Sequence, residues 1–208
     1  MEKKSTKIIL LIESLLPLLF FGAGLLAAGM KLKPPQKGGM AALSLLVFLI
    51  GLSLGGDSRL FSMLKKMKAG VLWIPFGVIA GTALGNLLAS LLFPSIGLRE
   101  ALLTGAGYGY YSLSAIIITE QGEPLVGAVA LTANMMRELL TLLGAPLIAR
   151  YFTPFGPIMS GGATSMDVTL PVIVRSSGAE FASLSFISGL VLSVTVPFTI
   201  AFINVLFS

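Results

Sequence analysis

The side chains able to do chemistry in this chain gather at three places inside apolar segments. Asp167 sits in Gly161-Gly162-Ala163-Thr164-Ser165-Met166-Asp167-Val168-Thr169-Leu170-Pro171, a run too rich in glycine, hydroxyls and proline for an ordinary membrane helix. Arg137 and Glu138 adjoin near the middle of a long apolar stretch, with Asn134 four residues before Glu138. Tyr108, Tyr110, Tyr111, Ser112 and Ser114 alternate with glycine from Gly105 onward. A carboxylate at membrane depth costs about 2.5 to 3.5 kcal/mol on insertion scales unless it is paired or hydrated, so such a group is first a candidate for holding a cation or exchanging a proton. Backbone amides freed by a helix break, tyrosine hydroxyls or Arg137 are the donors a carboxylate ligand would need, and Thr164 and Ser165 are further candidate binding residues.

Composition sets the solvent. With 55% hydrophobic and 11% charged residues and a mean hydropathy of +0.96, the chain is far more apolar than a soluble domain, in which about 25% of residues are charged. It reads as an all-α integral membrane protein, a helix bundle. The 208 residues leave room for roughly six to eight spans of about 20 residues and no sizeable soluble domain. The net charge of +5 comes from Lys and Arg at the ends of apolar runs, where lipid head groups are the natural partners; nucleic acid is not expected. The absence of Cys and His excludes disulfides, thiolate chemistry and His-based metal sites, and no metal or other cofactor is expected. The N-terminus reads as a first span and not as a cleaved signal.

The elements that must position these residues follow from the breaks. Residues 1–38 hold a first span, Ile8 to Met30, with Glu13 and Pro17, and then a basic, proline-broken loop. Gly39 to Gly56 forms a second span ending at Asp57, and Ala69 to Phe93 a third, after Lys65, Lys66 and Lys68. Leu98 to Thr119 and Thr153 to Arg175 are interrupted segments, and Pro124 to Tyr151 and Ala179 to Phe207 are long helices. About seven membrane segments result, two of them discontinuous, as in secondary transporters built from inverted repeats. With seven full crossings and the N-terminus inside, eight basic residues fall on the cytoplasmic side and five on the other, which favours that orientation.

Each candidate has a packing role to set beside the functional one. Asp167 could cap a helix starting near Val168, and a cap at a broken helix also brings a positive dipole end into the membrane. Arg137 and Glu138 could merely pair with neighbours; alternatively Glu138 is a cation or proton site and Arg137 pairs with Asp167 or a substrate carboxylate. The tyrosines, with Ser112 and Ser114, could be interfacial anchors or small-residue packing positions, but their dense alternation with glycine favours a lining role. Glu13 and Asp57 are candidate additional acids, although each also reads as a helix-end or snorkelling residue. No phosphate-binding loop supports ATP-driven transport. Asp57 and Asp167, the only aspartates, lack the surroundings of an intramembrane protease. No enzyme is expected.

The pieces Gly107-Tyr108-Gly109-Tyr110-Tyr111-Ser112-Leu113-Ser114, Thr119-Glu120, Arg137-Glu138-Leu139 and Gly162 to Pro171, in this order and spacing, closely resemble the LysO-type bacterial lysine exporters. The resemblance runs from about Gly39 to the C-terminus, so the chain is expected to be a single membrane transporter domain. It implies efflux of L-lysine across the inner membrane by exchange with protons, the proton gradient being the driving force. Glu138 matches the acid of the family's Arg-Glu pair and Asp167 that of its Thr-Ser-Met-Asp motif. Single-chain members carry an additional N-terminal membrane region with another intramembrane acid, and some members occur as two separately encoded pieces, of which this resembles the larger. A small membrane-protein partner, a homodimer, or Glu13 or Asp57 would then complete the set of acids; a non-autonomous subunit, or a transporter of another amino acid or an organic anion, is the alternative.

Overall fold

The computed structural model describes residues 72–208 continuously and, before them, only isolated positions: Ala23, Leu26, Gly29, Met30, Ala41, Leu45, Phe48 and Leu52. Apart from these positions, the expected first and second spans and the basic loop between them lie outside the described residues, as do Glu13, Asp57 and the lysines ahead of the third span. The chain divides into two compact units, Met1–Ala42 and Leu43–Ser208, and every feature below belongs to the second.

Seven helices make up the described region. They are α1 (Trp73–Leu92), α2 (Leu98–Gly105), α3 (Tyr111–Glu120), α4 (Pro124–Tyr151), α5 (Gly156–Gly161), α6 (Leu170–Ser177) and α7 (Ala182–Leu206), with 3-10 turns at Gly162–Met166 and Ala179–Phe181. Among the described residues the elements are all helical. Helices α1, α4 and α7 are long and apolar enough to cross a membrane, α7 together with the 3-10 turn that leads into it. The 20 residues of α1 span roughly the 30 Å of a hydrocarbon core. Pro124 opens α4 in the first turn, where its missing N–H is not needed.

The two interrupted segments do not cross. A straight helix over residues 98–123 would hold its ends roughly 37 Å apart, yet Arg99 at the start of α2 donates to Glu123, just past α3, over 2.6 and 2.9 Å. Asn204, near the end of α7, accepts from Arg99 at 2.8 Å and donates to Gln121 at 2.7 Å. The α2–α3 segment is therefore a hairpin that returns to the end it entered. The second interrupted segment does the same at the opposite end of the bundle. Phe155 before α5 meets Phe181 after α6 edge to face, with ring centroids 5.3 Å apart, where a continuous helix would separate them by roughly 39 Å. Helix α1 followed by its hairpin thus runs opposite to α4 followed by its hairpin, which is the arrangement of an inverted repeat. Arg150 and Arg175, which seven full crossings put on opposite sides, lie at the same end.

The hairpin tips meet in the interior. The Tyr108 carbonyl accepts the Ala163 amide at 2.8 Å, joining the two breaks. Two glycines permit this approach. Gly109 has φ 104° and Gly162 φ 61°, and a Cβ on Gly162 would collide with the Tyr108 carbonyl oxygen. Tyr108 itself has φ 49°, a left-handed conformation that costs a non-glycine residue about 1 to 3 kcal/mol and persists only where surrounding contacts impose it. Here its ring is buried, and its hydroxyl lies 3.3 Å from that of Thr199 on α7.

Candidate functional site

A cavity of about 200 Å³ opens where the tips meet. Glu138 on α4 and Asp167 in the second break both line it, beside Tyr110, Tyr111 and Ser112 of the first hairpin and Thr164 of the second. Its volume is below the roughly 300 to 1,000 Å³ of drug-sized pockets and suits a solute the size of an amino acid. Among the described residues, no Lys or Arg side chain lines it. Oε2 of Glu138 is buried there without a hydrogen-bond partner among the described residues. An orphaned carboxylate oxygen at this depth is costly, so the arrangement calls for a proton, water or cation in the cavity.

The donors come from the break in the first hairpin. Helix α3 starts at Tyr111 with no side chain capping its first turn. The amide of Tyr110 bonds Gly107 and that of Ser114 bonds Tyr110, so the amides of Tyr111, Ser112 and Leu113 are the unsatisfied first-turn donors of an α-helix. Tyr111 and Ser112 line the cavity, so the positive end of the α3 dipole opens onto it. Helix α6 offers no such site. Thr169, not Asp167, occupies its cap position. Asp167 Oδ1 accepts from the adjacent Val168 amide at 2.6 Å, and the Thr169 and Leu170 amides are taken by the carbonyls of Thr164 and Asp167. The expected cap by Asp167 at a helix beginning near Val168 does not form, because the 3-10 turn delays the helix to Leu170.

Five of the singled-out residues hold the breaks in place. Asn134 Oδ1 accepts the Gly109 amide at 2.8 Å, while its Nδ2 donates to the carbonyls of Thr104 at 2.9 Å and Ala130 at 2.8 Å. One buried amide thus satisfies groups on both sides of the first break. Arg137 faces away from both acids. Its Nε donates to Ser160 O at 2.8 Å, Nη2 to Met159 O at 2.9 Å and Nη1 to Thr82 Oγ1 at 3.1 Å. The guanidinium therefore sits on the last carbonyls of α5, at the negative end of that helix, and neither pairs with Asp167 nor points into the cavity. Ser165 Oγ donates to the carbonyls of Gly162 at 2.6 Å and Ser185 at 2.9 Å, and Ser185 returns a bond to Ser165 O at 2.7 Å. Ser114 donates to Tyr110 O at 3.2 Å, and Tyr108 carries the tip-to-tip bond.

Ser193 and Met166 also line the cavity and were not among the residues singled out from sequence. Ser193 donates to Gly189 O at 2.9 Å and lies 3.9 Å from the Met166 sulfur. Ser185, Ser188 and Ser193 recur along one apolar helix, and hydroxyls in such a helix are the sequence signal that points to Ser193.

The sequence also matches known proteins. The family described as "Lysine exporter LysO" matches residues 18–204. The chain belongs to this family. Lysine exporter LysO of Escherichia coli K12 is 32% identical over 164 residues, covering 78% of this chain and 53% of the relative. A protein of Haemophilus influenzae with the description "Putative lysine exporter" is 26% identical over 170 residues, covering 82% of this chain and 86% of the relative. The chain thus spans about half the length of the Escherichia coli relative. No solved structure matches it. Membership and the apolar helices make it a multi-pass protein of the bacterial inner membrane.

Proposed function

We propose that the cavity is the substrate site of a proton-coupled exporter of L-lysine. The observation that carries the proposal is the unpartnered Glu138 Oε2 in the same cavity as Asp167 and the uncapped start of α3. An amino acid with a cationic side chain has two ammonium groups and a carboxylate. Glu138 and Asp167 supply acceptors for the former, and the α3 amides with Ser112 supply donors for the latter. A proton taken up by one of the acids weakens its hold on an ammonium, and loss of that proton restores it. The same carboxylates would then couple lysine efflux to proton entry by competition, provided the cavity faces one side at a time.

Vesicles reconstituted with the protein should show lysine movement driven by a pH gradient. Glu138→Gln and Asp167→Asn should fold and lose that flux; wild-type flux from both would remove these acids from the mechanism. A second reading, a subunit that needs a partner, rests on the 53% coverage of the Escherichia coli relative. Flux measured with the chain alone and with a co-encoded small membrane protein separates the two, because a subunit is inert until paired.

A further inference from the structure

A second hollow leads away from the acidic cavity and shares only Ser112 with it. It is an open groove of about 410 Å³ between α3 and α4, lined among others by Ser112, Ala115, Glu120, Gly127, Ala128 and Leu131. Ser112 lines both the groove and the acidic cavity. On α3, the eight steps from Ser112 to Glu120 cover roughly 12 Å along the helix. On α4, Leu131 precedes Glu138 by seven residues, which returns to within about 20° of the same face one step deeper. The two walls therefore form a stripe that starts at Glu120 and ends at Glu138. Gly127 sets the floor, since a Cβ there would lie 2.9 Å from the Ala115 carbonyl oxygen.

The mouth is at the acidic end of the bundle. Among the described residues, Glu100, Glu120 and Glu123 gather there with Arg99, which Glu123 holds. Glu120 is exposed and in no ion pair among the described residues. Among the described residues the other end carries Arg150 and Arg175. Basic residues mark the cytoplasmic side, so the groove opens outward.

We infer that the α3–α4 groove is the outward leg of the transport path and that Glu120 is the acid that receives the cationic substrate at its mouth. The inference rests on the acidic cavity being a site for a cationic amino acid. A carboxylate at an apolar exit draws the ammonium away from the inner acids and raises the local concentration of cations over anions.

The absence of cysteine makes the test direct. Ala115→Cys and Ala128→Cys place single thiols in the two walls, and intact cells are treated from outside with impermeant methanethiosulfonates bearing either a trimethylammonium or a sulfonate group. Both thiols should react, the cationic reagent faster. Glu120→Gln should slow the cationic reagent about threefold, the Coulomb factor for unit charges roughly 6 Å apart in water, and Glu120→Asp should not. Modification of neither thiol, modification only in inverted vesicles, or a cation rate unmoved by Glu120→Gln would overturn the inference. Protection of Ser112→Cys by lysine reports separately on the cargo: labelling of the groove without protection leaves the path standing and removes lysine from it.

Discussion

Replacing Asn134 with alanine tests whether the first hairpin break is held by one side chain. The substitution removes the acceptor for the Gly109 amide and the donor to the Thr104 carbonyl, two groups that the break has taken out of helical bonding. The Ala130 carbonyl loses less, because it already accepts a bond within α4. Each orphaned buried group costs about 1 to 3 kcal/mol, so the loss should be about 2 to 6 kcal/mol. Water from the adjoining cavity can reach Gly109, which lines it, and this places the expectation toward the lower end of that range. Unfolding in mixed detergent micelles, followed against increasing denaturing detergent, reads the difference directly. Met135→Ala, one residue along and 46% exposed, is the control. A loss no larger than about 0.6 kcal/mol, the average for hydrogen bonds between membrane helices, would show that the break is held by packing and that the accounting of its polar groups is wrong.

Three other changes probe the same frame. Arg137→Lys keeps the charge but cannot reach Met159, Ser160 and Thr82 together as the guanidinium does; it should lower stability by about 1 to 3 kcal/mol, and Arg137→Gln by more, both read in the same unfolding assay. Gly162→Ala forces a Cβ onto the Tyr108 carbonyl at a positive φ and should abolish the monodisperse folded protein on size exclusion, whereas Gly81→Ala, with open space around it, should not. The Arg99–Glu123 pair is partly exposed, at 28% and 25% of its side chains. A double-mutant cycle should give a coupling of only about 0.2 to 1 kcal/mol, and a value well above that would show that the clamp across the first hairpin is a major source of stability.

Much of this architecture is legible in the residues themselves. The glycine-tyrosine run and the Gly161 to Pro171 segment interrupt helices where local propensity says they must, because glycine, proline and hydroxyl side chains weaken the helical ladder wherever they cluster. The bounds Pro124 to Tyr151 match α4, marked by a proline at one end and by Thr153-Pro154 just past the other. Glu138 and Asp167 stand out on burial cost alone, and they do line one cavity. The roles of their neighbours are not written locally. Arg137 and Glu138 are adjacent, yet one holds the end of α5 and the other the cavity, since successive side chains on a helix point about 100° apart and only the packing partner says what each meets.

Composition and patterning determined a membrane bundle with two breaks and an acid at each of two depths along the chain, because solvent and helix propensity act on every residue without regard to distant ones. Tertiary structure alone decided that each broken segment turns back, as the contacts of Arg99 with Glu123 and of Phe155 with Phe181 record. A break frees the chain to continue or to return. That choice is made by contacts between residues far apart in sequence, which are also what bring Tyr108 to Ala163 and place Glu138 and Asp167 around one cavity.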